Sequence, residues 1–362
     1  MMPTKKPIAL ILNDTYHAYH WGCYGTSKEI SETLIGLGYT LEYFSVVKMF
    51  NLKTPPRTEK QMNDTGFRRA FLADNPELSE QLEIADLVVL NGEGSLHGIN
   101  QMAFNILYVT NLAKTYFNKK VYAMNMSLFP RIKNSDPLEI EDFYKRMLLP
   151  IDKIILREDI SYQIAQRLGL NAHPGFDLLA THIKRRGVLA TKTKKNIIVL
   201  GGGLGLDHKV FFDLFKSMGS SLSKFKVLYL TGALSHPAGD DLIFIKKLTQ
   251  SSYPIAHKRV SSFSEWVNEI RNCRCLISGR FHHTIAAQTL GTPYVVFAAQ
   301  TPKILALCNK FGIKAPINSA EQNSISEAIK RITTALESEV EPINQPLINT
   351  LIKQSKQNFY GL

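Results

Sequence analysis

Short apolar runs alternate along this chain with stretches whose apolar residues recur at helical spacing. Residues 7–13 and 41–47 read as strands, and between them Ile30, Leu34 and Ile35 mark a helix over 26–37. Residues 86–91 (DLVVLN) form a continuous apolar strand. They are followed by a helix at 103–117, strands at 121–126 and 151–156, and a helix at 159–168 that stops at Gly169. Such alternation predicts a parallel sheet covered by helices on both faces.

The rhythm breaks at residues 181–195. This segment carries six cations (Lys184, Arg185, Arg186, Lys192, Lys194, Lys195) and no acid. Beyond it the pattern restarts, with strands at 196–200, 227–230, 275–278 and 294–297 and helices at 210–218, 240–248, 283–290, 302–311 and 325–336. The expectation is two Rossmann-like parallel-sheet α/β domains. The first spans 1–180, a basic linker covers 181–195, the second spans 196–340, and a tail helix lies within 341–362. In open parallel sheets ligands bind outside the carboxyl ends of the strands, so two such domains would face a common cleft.

Length and composition agree. A chain of 362 residues exceeds the roughly 250–300 that one core supports. Its 44% hydrophobic and 20% charged residues are ordinary for a globular protein. No apolar run approaches the ~18–20 residues that span a bilayer. The apolar run at 8–12 breaks at Asn13-Asp14 with no cleavage-site pattern after it, which favours a first strand over a signal peptide. The four cysteines, Cys23, Cys273, Cys275 and Cys308, make neither a disulfide framework nor a zinc pattern. They read as reduced thiols of a cytoplasmic protein. The formal charge of +12 calls for an anionic partner, either a phosphorylated small substrate or lipid headgroups at the inner face of the membrane. No nucleic-acid-binding pattern accompanies it, so nucleic acid is not expected.

The most informative stretch is Ser278-Gly279-Arg280-Phe281-His282-His283, which leaves a strand and enters a helix rich in small residues, then Leu290-Gly291-Thr292-Pro293. Arg280 and His282 thereby sit where a strand ends and a helix begins. Unpaired backbone N–H groups and the helix dipole favour an anion there. Arginine adds a planar fork for phosphate or carboxylate, and histidine supplies a proton near neutral pH. Arg157 closes a strand of the first half in the same way, and Ser278, Gly279 and Phe281 join the candidate binding set. Gly201-Gly202-Gly203 lacks the Lys-Ser/Thr of a phosphate-binding loop and reads as a tight turn, with Gly202 near the ligand. His97, Asp14, His17, His20, Glu93, His236 and Lys303 follow strand ends and complete the candidates. No H-E-x-x-H or D-x-D motif appears, so neither a metal nor a cofactor is expected.

The S-x-R-x-H string, its small-residue helix and L-G-x-P resemble the polysaccharide pyruvyl transferase family. Other pieces fall in that family's order: Leu90-Asn91-Gly92-Glu93-Gly94-Ser95-Leu96 as a Gly-rich turn after a strand, Met126-Ser127-Leu128-Phe129-Pro130, Leu156-Arg157-Glu158-Asp159-Ile160-Ser161 with Gly169, and His173-Pro174-Gly175-Phe176-Asp177. Asp240-Asp241 and Lys303 also have counterparts. The chain departs from the family at the N-x-G-D-like first turn, which reads His20-Trp21-Gly22-Cys23-Tyr24-Gly25-Thr26. It departs again at His283 and at Phe129. The resemblance implies a GT-B-like fold and transfer of a pyruvyl group from phosphoenolpyruvate to two sugar hydroxyls of a polysaccharide or its lipid-linked precursor. It implies that Arg157 and Arg280 hold the donor's phosphate and carboxylate, with His282 as acid/base. Two further readings stay open. One is a GT-B glycosyltransferase with a nucleotide-sugar donor, its base and ribose near Gly201–Gly205 and His236. The other is a non-catalytic glycan- or anion-binding protein. The sequence leaves the oligomeric state open.

Overall fold

A computed structural model describes residues 6–16, 20–133, 135–203, 206, 209–231, 241, 245–247, 255–337 and 344–362. The chain divides into two compact units. One comprises Met1–Tyr16, Thr26–Leu178 and Lys353–Leu362, the other His17–Gly25 and Leu179–Ile352.

The first unit is built on six parallel strands: β1 (Ile8–Asp14), β2 (Thr40–Ser45), β3 (Leu87–His97), β4 (Lys120–Phe129), β5 (Lys153–Leu156) and β6 (Ala172–Pro174), in the order β2-β1-β3-β4-β5-β6. Ala9, Leu10, Ile11 and Leu12 are fully buried on successive positions, as a strand covered on both faces requires. Ile11, Val89, Met124 and Ile155 meet Ile30 and Leu34 of the helix Trp21–Gly36 in one core cluster. The end of the tail, Lys353–Leu362, is part of this unit. Asn358 accepts the backbone N–H of Asn125 at 2.7 Å and donates to the Phe176 carbonyl at 3.0 Å.

The second unit carries five parallel strands: β7 (Lys195–Gly201), β8 (Lys226–Thr231), β9 (Ile255–Arg259), β10 (Cys273–Ser278) and β11 (Tyr294–Val296), in the order β11-β10-β7-β8-β9. Phe211, Phe215, Tyr229, Cys275, Ile277 and Phe297 fill its core.

Three expectations change. The basic segment does not begin as a linker at 181, because the helix Leu179–Arg185 buries Thr181, His182 and Ile183. Lys194 is docked rather than solvated: its Nζ donates to the Arg271 carbonyl at 2.7 Å and to Thr292 Oγ1 at 3.1 Å. The turn expected at 20–26 is instead the start of the helix Trp21–Gly36, and its first residues cluster with the second unit. The Gly-rich turn at 90–96 lies inside β3, whose register against β4 shifts between Glu93 and Leu96. A Cβ at Gly92 would stand 2.5 Å from Met126 Cβ, so glycine lets the two strands approach there. Among the described residues no helix is long and apolar enough to cross a membrane.

Candidate active site

In the second unit β10 ends at Ser278, and the helix Phe281–Leu290 begins three residues later with Arg280 at its N-cap. The strand end is held by side chains, not by a capping side chain on the helix. Trp266 Nε1 can only donate, so at 3.3 Å it fixes His283 Nε2 as the acceptor. The proton of His283 then lies on Nδ1 and is donated to Ser278 Oγ at 3.0 Å. The same Oγ accepts the backbone N–H of Arg280 at 3.0 Å. Burial, with Arg280 and His282 nearby, holds the His283 imidazole well below its usual pKa, in the neutral form this relay needs. Ser278 and His283 therefore support the turn that carries Arg280.

Arg280 donates from Nη2 to Asp241 at 2.7 Å, and the Tyr229 hydroxyl donates to the same carboxylate. Arg280 Nε is buried and has no hydrogen-bond partner among the described residues. One carboxylate thus orients the guanidinium without using all of its donors. Gly202 lies behind this pair. A Cβ there would meet Tyr229 Oη at 2.8 Å and approach Arg280 Nη2 to 3.5 Å. A Cβ at Gly203 would meet Gly279 Cα at 2.9 Å. The glycines let the ends of β7 and β10 pack backbone to backbone, and Gly202 makes room for the Tyr229–Asp241–Arg280 group.

His282 is buried, in the first turn of its helix, with Phe281 also buried beside it at a ring distance of 5.6 Å. His20 packs edge-on to His282 at 5.1 Å. Cys23 Sγ lies 3.7 Å from His20 Nε2 and 3.9 Å from His282 Nδ1. Burial, followed by the charges of His282, Arg280, His283 and Lys303, holds the His20 imidazole well below its usual pKa. Lys303 opens the helix Lys303–Phe311. The second unit therefore brings His20 and His282 together, with Arg280 and Lys303 close enough for their charges to act on His20. His20 clusters with the second unit, although its position in the chain places it within the expected first domain 1–180. Cys23 was missed as a site residue, because nothing near it in the sequence marks it.

The first unit treats its candidates differently. Arg157 is 1% exposed and donates to Glu93 at 2.8 Å, Asp177 at 2.9 Å and Ser127 at 2.9 Å. Two carboxylates and a hydroxyl take up its guanidinium and tie it into the first unit. Glu93 also accepts a hydrogen bond from the Thr26 hydroxyl. Asn13, Glu93 and Asn125 adopt positive φ of 57°, 47° and 52° near the carboxyl ends of the adjacent strands β1, β3 and β4. Strain of this kind collects at functional edges. Asp14 is buried beside this edge at the end of β1. His97 closes β3 with Nδ1 donating to the Gly94 carbonyl at 2.8 Å. His17, His236 and Asp240 lie outside the described residues.

Two parallel-sheet α/β units of this kind define a GT-B-like protein, and solved structures agree. A putative UDP-N-acetylglucosamine 2-epimerase from Listeria monocytogenes superposes with a TM-score of 0.58 at 12% identity, covering 99% of this chain and 98% of that one. The UDP-GlcNAc 2-epimerase from Methanocaldococcus jannaschii gives 0.57 at 12%, covering 92% and 94%. A glycosyltransferase from Rickettsia africae gives 0.54 at 13%, covering 99% and 100%. At such identities the likeness establishes the fold alone. The family model for polysaccharide pyruvyl transferase matches residues 16–301, and the chain belongs to that family and is a transferase. No curated protein matches it.

Proposed function

We propose that the chain transfers the enolpyruvyl group of phosphoenolpyruvate to two hydroxyls of a sugar in a cell-surface polysaccharide or its lipid-linked precursor. The observation that carries this reading is the second unit's cluster of Arg280, Lys303, His282 and His20 at a strand end and helix N-terminus. The donor carries close to three negative charges, and such a cluster complements a small polyanion. Arg280 and Lys303 would bind the phosphate and carboxylate.

The reaction balances without an added reactant. An acid protonates the methylene carbon, leaving positive charge on the adjacent carbon. One sugar hydroxyl adds there and loses its proton. The second hydroxyl adds as the carbon–oxygen bond to phosphate breaks, and its proton leaves with the phosphate. The products are the cyclic ketal and inorganic phosphate. His282 is the candidate acid, and acid/base help of this kind is worth ~10²–10⁴-fold in rate. The work is done in the cytoplasm, and the positive net charge suits transient attachment to anionic lipid.

Phosphate release from phosphoenolpyruvate across a panel of glycosides tests the reading. Activity that falls by ~10²-fold or more in both Arg280→Ala and His282→Ala supports it. Thermal stabilisation by UDP, GDP or CMP and none by phosphoenolpyruvate would instead favour a nucleotide-sugar glycosyltransferase. Donor stabilisation without turnover on any glycoside would indicate a binding protein.

A further inference from the structure

His20, Cys23 and His282 form a compact cluster within the second unit, and their ligand atoms all lie within 4.8 Å of one another. We propose that His20 Nε2, Cys23 Sγ and His282 Nδ1 are a three-ligand site for a divalent transition ion of the zinc class. The proposal does not depend on which donor the enzyme uses.

The geometry is close to what such an ion requires. Tetrahedral zinc, with sulfur at about 2.3 Å and imidazole nitrogen at about 2.0–2.1 Å, sets sulfur and nitrogen roughly 3.5–3.6 Å apart. Here the two sulfur–nitrogen separations are 3.7 and 3.9 Å. Contraction by a few tenths of an ångström would close the site. One thiolate and two imidazoles are a borderline-soft set that selects zinc or cobalt over magnesium or calcium. Three protein ligands leave a fourth position open.

The backbone is arranged to bring these ligands together. His20 and Cys23 flank the start of the helix Trp21–Gly36 and are three residues apart, which puts them on one face. Gly22 lies between them, and a Cβ there would stand 2.3 Å from His282 Cβ. Glycine at this position is what lets a ligand 259 residues away in sequence reach Cys23. The same separation explains why the spacing of cysteines and histidines discloses no zinc motif.

Arg280 and Lys303 oppose a further cation, since both act on His20 from nearby. A Cys23 thiolate ligand would offset half of the ion's charge. An anion is then the preferred fourth ligand. Coordination at Nδ1 would fix the proton of His282 on Nε2.

Cobalt(II) titration of the full chain, freed of metal by chelation, tests the site. The expected result is one equivalent bound with a thiolate-to-cobalt charge-transfer band and intense tetrahedral d–d bands. Cys23→Ser should abolish the charge-transfer band, and Cys273→Ser, elsewhere in the core, should keep it. His20→Ala and His282→Ala should each weaken binding by more than roughly tenfold. Should a variant fail to fold, alkylation of Cys23 in the wild-type chain gives a second readout, and zinc should slow it at least several-fold. A cobalt titration without a thiolate band, or Cys23 alkylation indifferent to zinc, overturns the proposal. Neither readout involves turnover, so a failed transfer assay would not bear on it.

Discussion

Trp266 donates to His283 across 3.3 Å, and this single bond sets the hydrogen-bond sense of the turn that carries Arg280. Removing the donor leaves a buried nitrogen unsatisfied, at a cost of ~1–3 kcal/mol. Trp266→Phe should lower urea-unfolding stability by that amount and raise the KM for phosphoenolpyruvate more than it lowers kcat. His283→Gln keeps a donor and an acceptor and should lose less. Equal losses in the two variants would show that packing, not proton direction, is what matters.

The same histidine sets a pH dependence. His283 and His20 both have folded pKa values depressed by burial and by nearby cations. The unfolded chain, with imidazoles near ~6.5, binds more protons than the folded one below that pH. Stability is therefore fully present above pH ~6.5 and falls as pH drops toward the folded values. Urea melts between pH 7.5 and 5 on the wild type and His283→Gln should show a shallower acid slope in the variant. Parallel slopes would rule His283 out as the source.

Arg157 in the first unit should act on folding and not on donor affinity. Arg157→Met leaves Glu93 and Asp177 buried without their cation, and breaking such a pair from one side costs about 3–5 kcal/mol. Arg157→Lys should restore little, because an ammonium cannot place Nη1 and Nε on the carboxylates and Ser127 together. Thermal unfolding is the measurement. An Arg157→Met protein with an unchanged Tm and a raised KM for the donor would return Arg157 to the role of clamp.

Arg157 and Arg280 also show how far the sequence could be read. Each ends a buried strand, and local pattern treats them alike. What separates them is remote: Glu93 and Asp177 close on Arg157, whereas Asp241 takes one nitrogen of Arg280. The strands themselves were legible, because β1 and β10 each hold a short run of buried apolar residues, 9–12 and 275–277. The edge strand β9 was not, since its partly exposed sequence IAHKR carries no apolar signal. The helix start at Trp21 was hidden for a related reason: Gly22 and Gly25 look like turn residues. In the fold they serve close packing, Gly22 on His282 and Gly25 on Leu179 and Phe263. His20 beside His282 was beyond any local reading, since the two stand near opposite ends of the family match.

Gly22 gives a prediction of its own. Alanine there would put Cβ within 2.3 Å of His282 Cβ, a distance no relaxed side chain adopts. Helix propensity alone would favour the change by about 1 kcal/mol. Overpacking should outweigh it, at a typical 1–3 kcal/mol, and displace the imidazole. Gly22→Ala should therefore lose transfer activity while staying mostly folded by circular dichroism. A more stable, fully active variant would mean the segment moves away from His282 without cost.

Donor binding to the metal-free chain should draw protons into the site. Without donor, His20 is kept neutral by burial and by the positive charges of its neighbours. A trianion bound among Arg280, Lys303 and His282 reverses the electrostatic part of that effect and favours the imidazolium. Binding is then linked to proton uptake, and affinity should tighten as pH falls from 8 toward 6, until phosphate protonation reduces the ligand's own charge. Calorimetric titration of phosphoenolpyruvate in buffers of different ionisation enthalpy reads the uptake directly. We expect a positive number of protons at pH 7.5, smaller in His20→Gln. Zero uptake in the wild type would place the donor away from His20 and His282, whatever its affinity.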